Sequence, residues 1–199
     1  MLPAPLMRQL FVAFCLVLFM FSPVRASAPE IEVAGVRLPE RLNVAGRTLV
    51  LNGAGLRRVL FMDIYVAALY LPERHQDTQH IINRDIPRTL QLTLLRDLST
   101  QQNLDALKDG LYENSSPDEI EAIRTDVDTF LGYIRSLREV STGTVIQMNY
   151  LPGVGTRVSV NGRYMGTVGG PGFNRAMLKI WLGEHPAQSS LKRALLGSV

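Results

Sequence analysis

Residues 61–71, Phe61-Met62-Asp63-Ile64-Tyr65-Val66-Ala67-Ala68-Leu69-Tyr70-Leu71, decide the fold. Apolar side chains fall on both parities, with Met62, Ile64, Val66 and Ala68 on one side and Phe61, Tyr65, Ala67 and Leu69 on the other. A β-rich run of that pattern is a strand covered on both faces. Upstream, Leu42-Asn43-Val44 leads through Ala45-Gly46 into Thr48-Leu49-Val50-Leu51, which reads as a hairpin. Ile31, Val33 and Val36, ahead of Pro39, extend the strand pattern to Glu30. Asn52-Gly53-Ala54-Gly55 reads as a bend that interrupts the hairpin, its glycines permitting a tight turn. The pair resembles part of a phosphate loop, but no G-x-G-x-x-G completes it and no helix follows.

Downstream, Asp77 to Asn83 reads as a short helix. After Pro87, Leu90, Leu92 and Leu94 alternate with Thr89, Gln91 and Thr93, giving a strand with one core face and one polar face. Ser99 and Gln102 form a capping box ahead of a helix whose buried stripe is Leu104, Leu107 and Leu111. Ser116-Pro117-Asp118-Glu119 starts another, with Ser at the cap and Pro at the first helical position. Its stripe, Ile120, Ile123, Val127, Phe130, Ile134 and Leu137, has spacings of three and four, so it lies against a sheet or a second helix. Strands return at Val145 to Leu151, Gly155 to Val160 and Arg163 to Val168, the last two joined by Asn161-Gly162. Gln147 and Asn149 share a face expected to be solvated. Gly169 to Gly172 ends the sheet, and helices are expected over Phe173 to Leu182 and near Ser190 to Leu196. Strands, helices, strands, helices, with hairpins and no βαβ rhythm, predict an α+β fold with a largely antiparallel sheet carrying helices on one face.

The N-terminus has Arg8, an unbroken apolar run from Leu10 to Phe21, Pro23, and then Ala26-Ser27-Ala28. That is the order of a cleavable secretory signal over residues 1–28, leaving one domain over residues 29–199 and a periplasmic or secreted protein. A run of about a dozen residues is short for a membrane-crossing helix, which takes roughly 20, so no stable span is expected after cleavage. Cys15, the sole cysteine, lies inside the run behind Ala13-Phe14 and would be lost with it, leaving no disulfide, thiolate ligand or cysteine nucleophile. The leader also carries Arg8 and Arg25, so the whole chain's +3 falls to +1 for the remainder. No basic run is left to attract nucleic acid or an anionic membrane.

His75, His80 and His185 have no metal-ligand spacing, so no metal and no cofactor is expected. No serine sits in a Gly-x-Ser-x-Gly turn. Asp118 and Glu119 suit a helix N-terminus better than an acid/base pair. Arg57 and Tyr65 stand out because they flank or enter a segment that reads as buried. An arginine there needs an anion, which is either Asp63, at the parity of Tyr65, or a ligand. On the residues alone the internal Arg57–Asp63 pair carries slightly more weight.

Asn52-Gly53-Ala54-Gly55-Leu56-Arg57 with residues 61–71 resembles the glycine-arginine strand pair of the chalcone isomerase-like family. The likeness continues through Leu94-Leu95-Arg96-Asp97-Leu98-Ser99-Thr100-Gln101-Gln102 and Asn174-Arg175-Ala176-Met177-Leu178-Lys179-Ile180-Trp181-Leu182-Gly183. The resemblance implies an open-faced β-sandwich, a large antiparallel sheet layered with helices, and a ligand cleft between the layers. Plant members close a ring by phenolate attack on an enone, and Arg57 matches the arginine that steers the substrate anion. The enzyme's threonine falls at or near Tyr65, its tyrosine at Asn103 and its asparagine near Gly110, so the catalytic set is not reproduced. Tyrosine at position 65 resembles instead the fatty-acid-binding, non-catalytic members, where arginine and tyrosine together hold a carboxylate.

The reading that follows is a non-catalytic extracytoplasmic binding protein for an amphipathic carboxylate such as a fatty acid, with Arg57 and Tyr65 as ligand-binding residues. Two alternatives stand beside it. One is an isomerase or intramolecular lyase on another substrate, with Arg57 as its catalytic residue, an electrophilic stabiliser of developing negative charge. The other is an envelope assembly factor whose cleft is filled by its own side chains.

Overall fold

In the computed structural model, which describes residues 29–137 and 140–198, seven strands form one antiparallel sheet in unbroken chain order. They are β3 (Arg41–Val44), β4 (Arg47–Val59), β5 (Met62–Leu71), β6 (Arg88–Leu94), β7 (Val145–Leu151), β8 (Gly155–Val160) and β9 (Arg163–Val168). A separate hairpin of β1 (Glu30–Val33) and β2 (Val36–Pro39) precedes them. Helix α1 (Thr78–Asn83) joins β5 to β6. Helices α2 (Thr100–Asn114), α3 (Pro117–Ala122) and α4 (Arg124–Ser136) lie between β6 and β7, and α5 (Pro171–Leu182) and α6 (Ser189–Leu195) follow β9. This is the expected α+β architecture, a curled antiparallel sheet layered with helices as an open-faced sandwich. The proposed leader, residues 1–28, lies outside the described residues.

Strand β5 is buried on both faces from Val66 to Leu71, as its doubled apolar parity requires, whereas Phe61 and Met62, expected in the same covered run, are exposed. Ala67, Leu69 and Leu71 face the helices with Leu90, Leu92 and Leu94 of β6, against Phe130 of α4, Phe173 of α5 and Trp181. Val66, Ala68 and Tyr70 face the other way, against Leu49 and Leu51 of β4 and Leu38 of the β1–β2 hairpin. The polar parity of β6 is buried too. Thr89 donates to Asn149 at 2.7 Å and the Gln147 amide donates to Gln91 at 2.9 Å, so the four side chains pair across β6 and β7. Gln147 and Asn149 are therefore partly buried rather than solvated. Asn161 and Gly162 both have positive φ, the conformation the turn needs.

Three further expectations are corrected. Strand β4 continues through 13 residues, so Asn52 to Gly55 do not end it; the ladder to β5 only shifts register by one residue at Asn52. The glycines instead make room for α6: a Cβ on Gly53 would lie 2.7 Å from the Leu195 carbonyl oxygen and closer still to that of Ala194, and one on Gly55 would lie 2.6 Å from Ala194 Cβ. Asn52, 6% exposed, locks the contact by donating to the Leu195 carbonyl at 2.7 Å and accepting from the His75 amide at 2.6 Å. Second, the long stripe from Ile120 to Leu137 is two helices, because Ile123 (φ −117°, ψ 11°) leaves helical geometry. The turn lets Ile120 and Phe130 both reach the core. The third concerns Asp63 and belongs to the site.

Buried Arg88 carried no signal in the bare sequence. Its guanidinium donates to the carbonyls of Ile81 and Arg84, closing α1, and lies 5.4 Å from the centroid of the Tyr150 ring. Burial lowers its pKa to about 10, and it remains charged at neutral pH.

Gly132 sits inside α4 with open space where a Cβ would go. Gly132→Ala is expected to stabilise the fold by about 0.5–1 kcal/mol by removing the helix penalty of glycine. Urea unfolding would show this as a raised midpoint at unchanged slope.

Candidate functional site

Arg57 and Tyr65 are directly opposed on β4 and β5, and so share the face that looks toward the helices. Beyond them the register slips. Arg58 pairs with Asp63, leaving Ile64 as the extra residue of a bulge. The bulge reverses the parity that places Asp63 beside Tyr65 in the bare sequence. Asp63 therefore bonds Arg58, at 2.6 Å, and the expected Arg57–Asp63 pair does not form. The hydrogen bond from Arg58 lowers the Asp63 pKa, so the pair is ionised at neutral pH.

Arg57 is left with neutral partners. Its Nη1 donates to Gln188 Oε1 at 3.3 Å and to the Arg58 carbonyl at 3.4 Å, both long for charge-assisted bonds. Gln188 is held by its own contacts: Oε1 also accepts the Arg58 amide at 2.8 Å, and it stands at the head of α6. Among the described residues no carboxylate lies within 4 Å of Arg57. The two arginines thus differ in kind. Arg88 is enclosed by carbonyls that fix it in the fold, while Arg57 is partly exposed and has donors to spare.

The Tyr65 hydroxyl accepts the Trp181 indole N–H at 2.8 Å. An indole nitrogen only donates, so this bond occupies an oxygen lone pair and leaves the phenolic proton to give to another acceptor. Burial raises the Tyr65 pKa from its usual value, against the opposing effects of the Trp181 bond and of the charge and hydrogen bond of Arg57. At neutral pH the group is a neutral donor and no base.

These side chains border a cavity of about 740 Å³ between the sheet and helices α2, α4 and α5, a size typical of small-molecule sites. Its interior is apolar, walled by Leu92 and Leu94 of β6, Ile146 and Met148 of β7, and Phe130 and Ile134 of α4. Arg57, Tyr65 and Asn103 supply polar groups to the wall, and Arg96, Gln102 and the exposed Asp97, Asp109 and Glu113 line the cavity as well. The Asn103 Nδ2 is buried with no hydrogen-bond partner, an amide donor that no local pattern marks. Gly110 also lines the cavity and offers no side chain; a Cβ there would lie 2.8 Å from Ile180 Cγ2. His185 is an exposed member of the rim, whereas His75 and His80 lie elsewhere, stacked on each other with ring centroids 3.6 Å apart. The spacing of His75 and His80 along the chain holds no hint of that stack.

The arrangement can take a molecule with one anionic end and an apolar body. A guanidinium with free donors and a phenol with a free proton can converge on two carboxylate oxygens, and the remaining wall can hold hydrocarbon.

A family model described as chalcone isomerase-like matches residues 30–197. None of the curated proteins matches the chain. Among solved structures, a fatty-acid binding protein of Arabidopsis thaliana superposes with a TM-score of 0.67 at 16% sequence identity, covering 84% of this chain and 96% of that one. At that identity the likeness is one of fold.

Proposed function

The chain belongs to the chalcone isomerase-like family, and from that premise we propose that it is a non-catalytic binding protein for an amphipathic carboxylate, a fatty acid being the leading class, that works outside the cytoplasm. The observation that carries this reading is Arg57, a guanidinium without a carboxylate partner among the described residues, set across from a phenol with a proton to give, on the wall of an apolar cavity. Arg57 and Tyr65 hold the carboxylate, and the hydrocarbon chain runs inward between β6, β7 and α4. The similar structure from Arabidopsis thaliana is described as a fatty-acid binding protein, which agrees with this class of ligand.

Ring-closing catalysis fits the wall less well. The family's catalytic asparagine corresponds to a position near Gly110, where Ile180 fills the space a side chain would need. Tyr65, kept protonated, stands at or near the position of the enzymes' threonine. The setting outside the cytoplasm rests on the leader-like sequence over residues 1–28, and the exported protein would begin at Pro29.

Native mass spectrometry of the protein recovered from expressing cells without detergent tests the function, followed by solvent extraction. A carboxylate of matching mass bound one to one is expected. A protein that comes out empty, and stays empty after incubation with oleate, would remove the reading. Turnover of an added chalcone with no stable complex would favour the isomerase instead. Tyr65→Phe is expected to weaken oleate binding by about tenfold, the low end of the worth of one hydrogen bond to a charged group. The same change should shift Trp181 emission, because the indole loses its acceptor.

A further inference from the structure

The turn between β4 and β5 is built from the wrong residues for a solvated hairpin. Two-residue hairpin loops favour Asn-Gly and its relatives, because positive φ strains bulky side chains. Here the loop is Leu60-Phe61, with Leu60 at φ +54°. Leu60 is 81% exposed and Phe61 is 99% exposed, flanked by Val59 at 39% and Met62 at 42%. Four consecutive apolar side chains therefore stand in water at one point of the molecule, two of them almost entirely.

The surroundings say what covers them. A stable protein interface buries roughly 800 Å² per partner over a broad face, and this is a projecting tip of four residues, too narrow for a second copy to seal. Cations ring its base: Arg57 and Arg58 on β4, and Arg96 just past the end of β6. Asp63 is paired with Arg58, and Asp97 takes the amide and hydroxyl of Thr142 within the field of Arg96, so among the described residues Arg57 is the cation of the three left without a carboxylate. Apolar side chains at a tip with arginines behind them match the two layers of an anionic bilayer surface, hydrocarbon under phosphate. We propose that the Leu60-Phe61 hairpin inserts into an anionic lipid bilayer and docks the protein there. Val59 and Met62 belong both to this tip and to the wall of the cavity, so docking brings the cavity mouth against the membrane. Docking rests on the hairpin alone and does not depend on what the cavity holds.

The test places a reporter at the tip. The full chain carrying Phe61→Trp is mixed with vesicles of phosphatidylglycerol and bromine-labelled phosphatidylcholine, and the parent chain, whose one tryptophan is the buried Trp181, serves as control. Insertion predicts a blue shift of the added emission and its quenching by the bromines, neither seen in the control. Because the readout is local, attachment through another segment of the chain would not produce it. In the parent chain, Leu60→Asn with Phe61→Gly supplies a better turn without the apolar tip. It is expected to lower the vesicle partition contributed by the tip about a hundredfold, the loss expected for withdrawing two large apolar side chains. Emission from the added indole that neither shifts nor quenches would overturn the proposal. So would a concentration-dependent dimer abolished by the Asn-Gly turn, which would assign the tip to a second copy. Oleate uptake without vesicles is measured alongside: a chain that inserts but takes up no oleate would fail the ligand reading and keep this one, and the reverse would do the opposite.

Discussion

Arg57→Met is expected to weaken binding of a long-chain carboxylate by roughly 10- to 100-fold while leaving the fold intact. Hydrogen bonds to a charged group contribute about 1.5–3 kcal/mol, and about 1.4 kcal/mol is a factor of ten. Methionine keeps the unbranched stem and removes the cation, so the change reads out charge rather than packing. Stability should move little, because the partners of Arg57 are neutral, its bonds to Gln188 and the Arg58 carbonyl are long, and Gln188 keeps its bond to the Arg58 amide. Arg58→Met is the matched control. It removes the same charge one residue away, on the face where Asp63 lies, and should leave affinity for the carboxylate nearly unchanged. Titration calorimetry with oleate on the two variants measures the difference directly. Equal losses in both would mean that the arginines act only through their shared field.

Gly53→Ala is expected to destabilise the protein by about 3 kcal/mol or more, at the upper end of what overpacking does. The reason is what the added methyl would meet. At Gly53 the obstacles are the backbone carbonyls of Ala194 and Leu195, which can yield only if α6 moves as a body. Moving α6 also breaks the Asn52 bond to Leu195 and displaces Gln188 at the other end of the helix. At Gly55 the obstacles are side-chain atoms of Ala194 and Leu191, so Gly55→Ala should be milder. In a domain of this size about 3 kcal/mol lowers Tm by roughly 6–12 °C, which thermal unfolding followed by circular dichroism would resolve. If neither variant lowered Tm, α6 would not be the element that the glycines accommodate.

The two glycines show where the sequence was legible and where it was not. Strand β5, the two capping boxes and the Asn161-Gly162 turn are written in local patterns of parity, spacing and turn chemistry, and each stands where those patterns place it. Gly53 and Gly55 look like a bend because glycine in a strand has two uses, a turn and a close approach, and only the partner distinguishes them. That partner is some 140 residues away in the chain. The Arg57–Asp63 expectation failed for a related reason. Parity counting assumes an unbroken ladder, and a one-residue bulge at Ile64 inverts it without a mark in the composition. Trp181 was visible inside a family-like block and Asn103 only as the position matching the enzymes' tyrosine, yet their relation to the cavity arises only when α2 and α5 fold over the sheet. Leu60-Phe61 was the most readable of the missed signals, since a bulky apolar pair in a two-residue turn is unfavourable on local grounds alone.

A crystal structure of the protein with oleate would locate both ends of the ligand at once. One carboxylate oxygen is expected within hydrogen-bond distance of Arg57 and the other at the Tyr65 hydroxyl, with Trp181 still donating to it and the hydrocarbon chain among Leu92, Leu94, Ile146 and Phe130. A chain bound the other way round, with its carboxylate in solvent, would contradict the assignment of Arg57 and Tyr65, as would oleate bound elsewhere while Gln188 alone still met Arg57.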